Sequence, residues 1–125
     1  MKEDKNPLKQ IPEEEINSIS NLFSILSNPS RIKILWLLKR GKNLSVHVMQ
    51  EKLKISQSNV SQHLSLLKTH KIIKEERIGK EVYYSIVAPK KLSKILASAL
   101  HLIGYQLAAN SEILSTYSEV VSFWV

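Results

Sequence analysis

"ISQSNVSQHLSLL", Ile55 to Leu67, decides how the rest of the chain reads. Its first half gathers five uncharged polar residues, Ser56, Gln57, Ser58, Asn59 and Ser61, around a single Val60. Ser and Asn side chains compete for backbone hydrogen bonds and favour caps and turns over helix interiors. In the second half, Val60, Leu64 and Leu67 recur at i, i+4 and i+7, the spacing of one buried helix face. One helix accommodates both halves. Ser56 is its N-cap, and Ile55 and Val60 stand at the N′ and N4 positions of a hydrophobic staple. The helix fades near His70 and leaves Gln57, Ser58, Ser61, Gln62 and Ser65 facing outward. Such a short, polar, acid-free start is compatible with a bare cap, a catalytic serine cluster or a surface that reads bases.

The flanking segments narrow the choice. "NLSVHVMQEKLKI" (43–55) predicts a short helix from about Ser45 to Leu53, separated from the next by only a few residues. Downstream, "KIIKEERIGKEVYYSIV" changes period. Val82, Tyr84 and Ile86 alternate, and Gly79 marks a tight turn, so 72–87 reads as a β-hairpin. Upstream, a helix starting near Pro12 carries Ile16, Ile19, Leu22, Phe23 and Leu26 as an apolar stripe. "SNPSR" breaks it, with Asn28 as cap and Pro29 at N1 of the next helix. That second helix turns Ile32, Leu35, Trp36 and Leu38 inward and stops at Gly41. From Pro89 the helical period returns with Leu92, Ile95, Leu96, Ala99, Leu102 and Ile103, with a break expected at Gly104 or Asn110. The expected fold is mainly α with a β-hairpin: a winged helix-turn-helix with N- and C-terminal dimerisation helices. Residues 1–12 are expected to form a flexible leader. One domain spans 13–125, with the helix-turn-helix at about 45–70, the wing at about 72–87 and the C-terminal helices at about 89–125.

Charge points to a polyanion. The 125-residue chain carries a net +7. Between Arg31 and Lys94 stand 15 Lys and Arg against four acids, a local +11, while the remainder sums to −4. A basic centre suits a nucleic-acid partner through counterion release, although a solvated basic surface has the same composition. No apolar run approaches the roughly 20 residues that span a bilayer, and "MKEDKNPLKQ" lacks the apolar core of a signal peptide. With no Cys there is no disulfide or thiolate chemistry. A cytoplasmic protein is expected. No catalytic triad spacing, phosphate loop or paired-carboxylate site stands out, so an enzyme is not expected.

Three pieces, "LFSILSNPSRIKILWLLKRG", "SQSNVSQHLSLLKTHKII" and "RIGKEVYYSI", occur in an order and spacing that resemble the ArsR/SmtB bacterial repressors. They cover about half the chain, from Leu22 to Ile86. The resemblance implies a homodimer that binds double-stranded operator DNA and releases it when an inducer binds. Helix-turn-helix docking places the start of the second helix in the major groove. Gln57, Ser58, Ser61 and Gln62 then approach base edges, with Ser56 beside them as cap. His63, on the border of the inward stripe, is either a phosphate contact or a packed core histidine. Arg31 in the first turn of its helix, and Lys68, Lys71 and Lys74 further on, suit phosphates. Arg77 and Lys80 flank the wing tip, which suits the minor groove. Ile19, Phe23, Leu92, Ile95, Leu96, Ala99, Leu102 and Ile103 are the expected dimerisation residues, because a core this small cannot cover them all.

Many relatives sense metals, but this sequence departs from both family sites. Ser45 and His47 stand where one site has two Cys. The positions of the other fall on Ala88, Lys90, His101 and Gly104, where only His101 is a ligand type. No metal and no cofactor are expected. A small organic inducer at the dimer helices, a protein partner or no inducer at all remains; the apolar tail with Ile113, Leu114, Tyr117, Val120, Val121, Phe123 and Trp124 is expected to pack across the dimer, with the lining of a pocket as the alternative. Two further readings stay open: a winged helix serving as a protein-interaction module, and a nonspecific nucleic-acid binder.

Overall fold

The computed structural model describes residues 6–107 and 122–124, without the side chains of 105–107. Its elements are α1 (Glu13–Leu26), α2 (Pro29–Gly41), β1 (Leu44–Ser45), α3 (Val46–Leu53), α4 (Gln57–Thr69), β2 (Ile73–Ile78), β3 (Glu81–Ile86) and α5 (Pro89–Leu107). These fall into two compact units, one ending at Val87 and the other beginning at Ala88. The architecture is a winged helix-turn-helix, mostly helical with one small antiparallel sheet.

Each helix of the first unit starts where local chemistry allows. Pro12 precedes α1, whose first turn holds Glu13, Glu14 and Glu15. Negative charge there complements the partial positive charge of unpaired amides. Asn28 caps α2 by accepting from the Arg31 amide, with Pro29 at the first helical position. Ser45 accepts from the Val48 amide to cap α3, and Ser56 accepts from the Asn59 amide to cap α4. Before α1, in the stretch expected to be a leader, Pro7–Gln10 forms a short 3-10 turn capped by the Asn6 side chain; residues 6–12 are all exposed.

The core lies between α2, α3, α4 and the sheet. Ile34, Leu35, Leu38, Met49, Val60, Leu64, Leu67 and Ile73 are its fully buried side chains. The inward face of α2 differs from the expected one. Ile34, Leu35 and Leu38 are buried, whereas Ile32 and Trp36 are half-buried. Apolar residues surround most of this helix, so periodicity alone did not select the face. Packing against α3, α4 and β3 centres it on Leu35 and Leu38 and recruits Ile34.

The helix ends are less regular than expected. Gly41 is the last residue of α2 rather than its left-handed cap, and Lys42 takes the positive φ of 64°. Space is tight at Gly41 instead: a Cβ there would stand 2.6 Å from Leu44 Cδ2, and the Leu44 side chain would have to shift. Lys54 (φ 56°) and Lys71 (φ 58°) likewise take left-handed conformations after α3 and α4. The hairpin meets its expectation at Gly79, which takes φ +64° at the turn between the paired Ile78 and Glu81. It also gains a strand: Leu44 and Ser45 pair antiparallel with Tyr84 and Tyr83, giving the order β1-β3-β2.

In the second unit, α5 runs through Gly104 without a break, and Asn110 lies outside the described residues. Leu92, Ser93, Leu96, Ala97 and Trp124 are buried. Phe123 and Trp124 meet edge to face at 5.4 Å between ring centroids. The apolar tail residues from Ile113 to Val121 also lie outside the described residues.

A left-handed Lys54 costs backbone energy that glycine does not incur. Lys54→Gly is therefore expected to raise the urea midpoint, at fixed protein concentration and unchanged m, by the equivalent of about 0.5–1 kcal/mol. A lowered midpoint would count against the left-handed turn between α3 and α4.

Candidate nucleic-acid interface

The geometry of α4 separates its residues by role. Val60, Leu64 and Leu67 are buried, with 0–1% of their surface exposed. Gln57, Ser58, Asn59, Ser61, Gln62 and Ser65 are all exposed. Asn59 belongs to the outward set although the sequence spacing did not single it out. Its position between Ser58 and the buried Val60, at 100° per residue, was the available signal.

Ser56 has a structural task. Its Oγ accepts from the Asn59 amide at 3.2 Å and lies 3.2 Å from Ser58 Oγ. The Ser56 hydroxyl is thus committed to starting the helix.

The structure brings two candidates together that the sequence treated separately. Arg31, in the first turn of α2, donates from Nε to the Ile25 carbonyl at 2.7 Å. Its Nη1 lies 3.4 Å from Nδ1 of His63 on α4. One guanidinium thus touches the end of α1 and the DNA-facing helix candidate. His63 is half-buried, and burial first, then the charge of Arg31, hold its pKa below the ordinary 6.5. No periodicity rule could have paired residues 32 positions apart.

Lys68 pairs with Glu75 of β2 at 2.5 Å, both on the surface. That contact raises the Lys68 pKa and lowers that of Glu75. Lys68 therefore ties α4 to the wing, and a phosphate would have to compete with Glu75 for it. Lys71 and Lys74 are exposed. At the wing tip Arg77, Ile78, Gly79 and Lys80 are all exposed, with Ile78 at 53%. On β3, Tyr83 donates to Glu81 at 2.9 Å, while burial and the neighbouring Glu75 raise the Tyr84 pKa.

The expected dimerisation residues divide. Ile19 and Phe23 on α1 are exposed at 54% and 57%, with Ile16 also exposed beside them. On α5, Ala99, Leu102 and Ile103 are exposed, Ile95 is half-buried, and Leu92 and Leu96 are buried within the single chain. Of the two positions where the family's thiolate site would lie, Ser45 caps α3 with its Oγ and His47 is exposed. Among the described residues, no three His, Asp or Glu come together as metal ligands. None of the helices among them is long and apolar enough to cross a membrane.

Comparison with known proteins places this geometry. A family model described as a helix-turn-helix domain matches residues 26–76, the span from the end of α1 into β2. The transcriptional repressor SdpR of Bacillus subtilis is 38% identical over 68 residues, covering 54% of this chain and 74% of that protein. The transcriptional repressor SmtB of Mycobacterium tuberculosis is 34% identical over 89 residues, covering 71% of this chain and 64% of that protein. The crystal structure of the transcriptional repressor PagR of Bacillus anthracis superposes with a TM-score of 0.56 at 37% identity, covering 63% of this chain and 90% of that one. These relatives are transcriptional regulators, not enzymes. The chain belongs to the ArsR/SmtB family of winged-helix transcriptional regulators.

Proposed function

We propose that the protein is a repressor that binds a specific operator as a homodimer in the cytoplasm. The observation that carries this reading is the exposed, acid-free face of α4, formed by Gln57, Ser58, Ser61 and Gln62. A carboxylate on that face would meet phosphates on either side of the major groove. Gln pairs with two adenine edge atoms at once, and Ser donates to or accepts from several bases. Arg77 and Lys80 at the exposed wing tip supply cations for the neighbouring phosphates or minor groove.

The dimer reading rests on α1 and α5. Ile16, Ile19 and Phe23 on the first, and Leu102 and Ile103 on the second, leave large apolar side chains in water. A second copy related by a two-fold axis is the simplest cover, and it matches a palindromic operator with half-sites about one helical turn apart. The inducer, on this reading, is not a metal of the family types. Ser45 is spent on a cap and His101 has no companion ligand at the matching positions. A small organic molecule or a protein partner takes that role.

Gel shifts on the DNA upstream of the protein's own gene, against scrambled duplex at two salt concentrations, test the central reading. The upstream duplex is expected to bind more tightly at both. Gln57→Ala is expected to lose about 1–3 kcal/mol of that preference, whereas Lys80→Ala weakens both duplexes alike and reduces the salt slope by about one. Equal affinity for the two duplexes would favour a nonspecific binder or a protein-interaction module. In sedimentation experiments Phe23→Glu should shift the protein toward monomer; an unchanged dimer excludes the α1 face from the interface. Added zinc is expected to leave operator affinity unaltered, and tight stoichiometric binding with release of DNA would reinstate a metal inducer.

A further inference from the structure

The Arg31 contacts have a chemical consequence for His63. A guanidinium carries only N–H donors and does not lose its proton in proteins. Nδ1 of His63, 3.4 Å from Arg31 Nη1, can therefore join that contact only as an acceptor. An imidazole whose Nδ1 accepts must carry its single proton on Nε2. A doubly protonated ring would place an N–H, and a positive charge, against the guanidinium. The Arg31 side chain is itself anchored, because Nε donates to the Ile25 carbonyl at 2.7 Å. That carbonyl lies in the last turn of α1, where the helix has no partner of its own for it. The Arg31 amide is held as well, by the Asn28 side chain at 3.2 Å. Backbone and Nε of Arg31 are thus both fixed before His63 is met.

We propose that Arg31 is a positioning residue for DNA binding: it holds His63 as the neutral tautomer with its proton on Nε2, so that the ring offers a DNA phosphate an uncharged N–H donor beside Gln62. The assignment rests on the DNA-binding reading of α4. It gives Arg31 a role other than direct phosphate contact. It also distinguishes two arginine functions that net charge treats alike. Arg77 at the exposed wing tip acts as a charge, whereas Arg31 acts through a second side chain.

Two measurements on the full-length protein test the proposal. The first needs no DNA. Long-range proton–nitrogen NMR correlations report which imidazole nitrogen carries the proton and where the ring titrates. In the wild type, His63 is expected to be neutral near pH 7 with its proton on Nε2. In Arg31→Met, the Nδ1-protonated tautomer should appear and the titration midpoint should move up. A wild-type ring protonated on Nδ1, or a tautomer and midpoint indifferent to Arg31→Met, overturns the proposal.

The second measurement uses a duplex selected from a randomised pool by the wild-type protein. His63→Ala and Arg31→Met are each expected to weaken binding about three- to tenfold, the size of one lost hydrogen bond. The double variant should be no weaker than the worse single one. Arg31→Lys keeps the charge but not the fork that reaches both Ile25 and His63, so it should not restore affinity. Losses that multiply in the double variant, or full affinity in Arg31→Lys, overturn the proposal in favour of a direct charge contact. Circular dichroism and the urea midpoint establish that each variant is folded; should Arg31→Met fail to fold, Arg31→Ala, which also lacks the donor and the charge, takes its place in both measurements. A protein that enriches no duplex overturns the DNA-binding reading and this assignment together, whereas an enriched duplex with multiplying losses overturns this assignment alone.

Discussion

The burial of one stripe on α4 governs what the rest of the structure can present. Val60, Leu64 and Leu67 are almost completely removed from water, and each such side chain is worth about 1.5–3 kcal/mol over an exposed one. Rotating the helix by a single residue would bury Ser61 and Ser65, or Asn59 and His63, in their place. An unpaired buried polar group costs a further 1–3 kcal/mol or so. The two penalties act in the same direction, so the orientation of α4 is strongly specified. The polar face follows from that choice at no additional cost, because residues not facing α2, α3 and β2 face solvent.

The surroundings of α4 serve that orientation in different ways. Side-chain caps at Asn28, Ser45 and Ser56 start three successive helices within a short length of chain. Positive-φ residues at Lys42, Lys54 and Lys71 follow those helices without the help of glycine. Tertiary packing evidently outweighs that local strain, which for a non-glycine residue is on the order of 1–2 kcal/mol. Gly41 shows the converse. It ends the helix where the Leu44 side chain, at the start of β1, approaches closely, so a larger residue there would have to displace that side chain.

Electrostatics add links rather than much stability. The Lys68–Glu75 pair is exposed, and such pairs contribute little on their own. Its consequence is geometric, since it joins the last turn of α4 to the first half of β2. Arg31 forms the opposite link, from the last turn of α1 to His63. One side chain thus bridges the end of α1 and the middle of α4. The apolar face of α1 that carries Ile19 and Phe23 lies on the same helix as the Ile25 carbonyl that anchors Arg31.

The element order, the caps at Asn28 and Ser56, the inward stripe of α4 and the Gly79 turn were legible in the sequence. Each depends on residues within a few positions of one another, where helical and strand periods or single-residue conformational preferences decide the outcome. The acid-free outward face of α4 was legible for the same reason. Local pattern did not reach the inward face of α2, where apolar residues occur on nearly every side and only its packing neighbours choose. Nor did it reach β1, a two-residue strand that exists because β3 offers an edge to Leu44 and Ser45. The pairing of Arg31 with His63 and of Lys68 with Glu75 belongs to the tertiary structure alone. Such contacts join different elements of the chain, and their distances are set by how helices and strands pack rather than by how far apart the residues stand in the sequence.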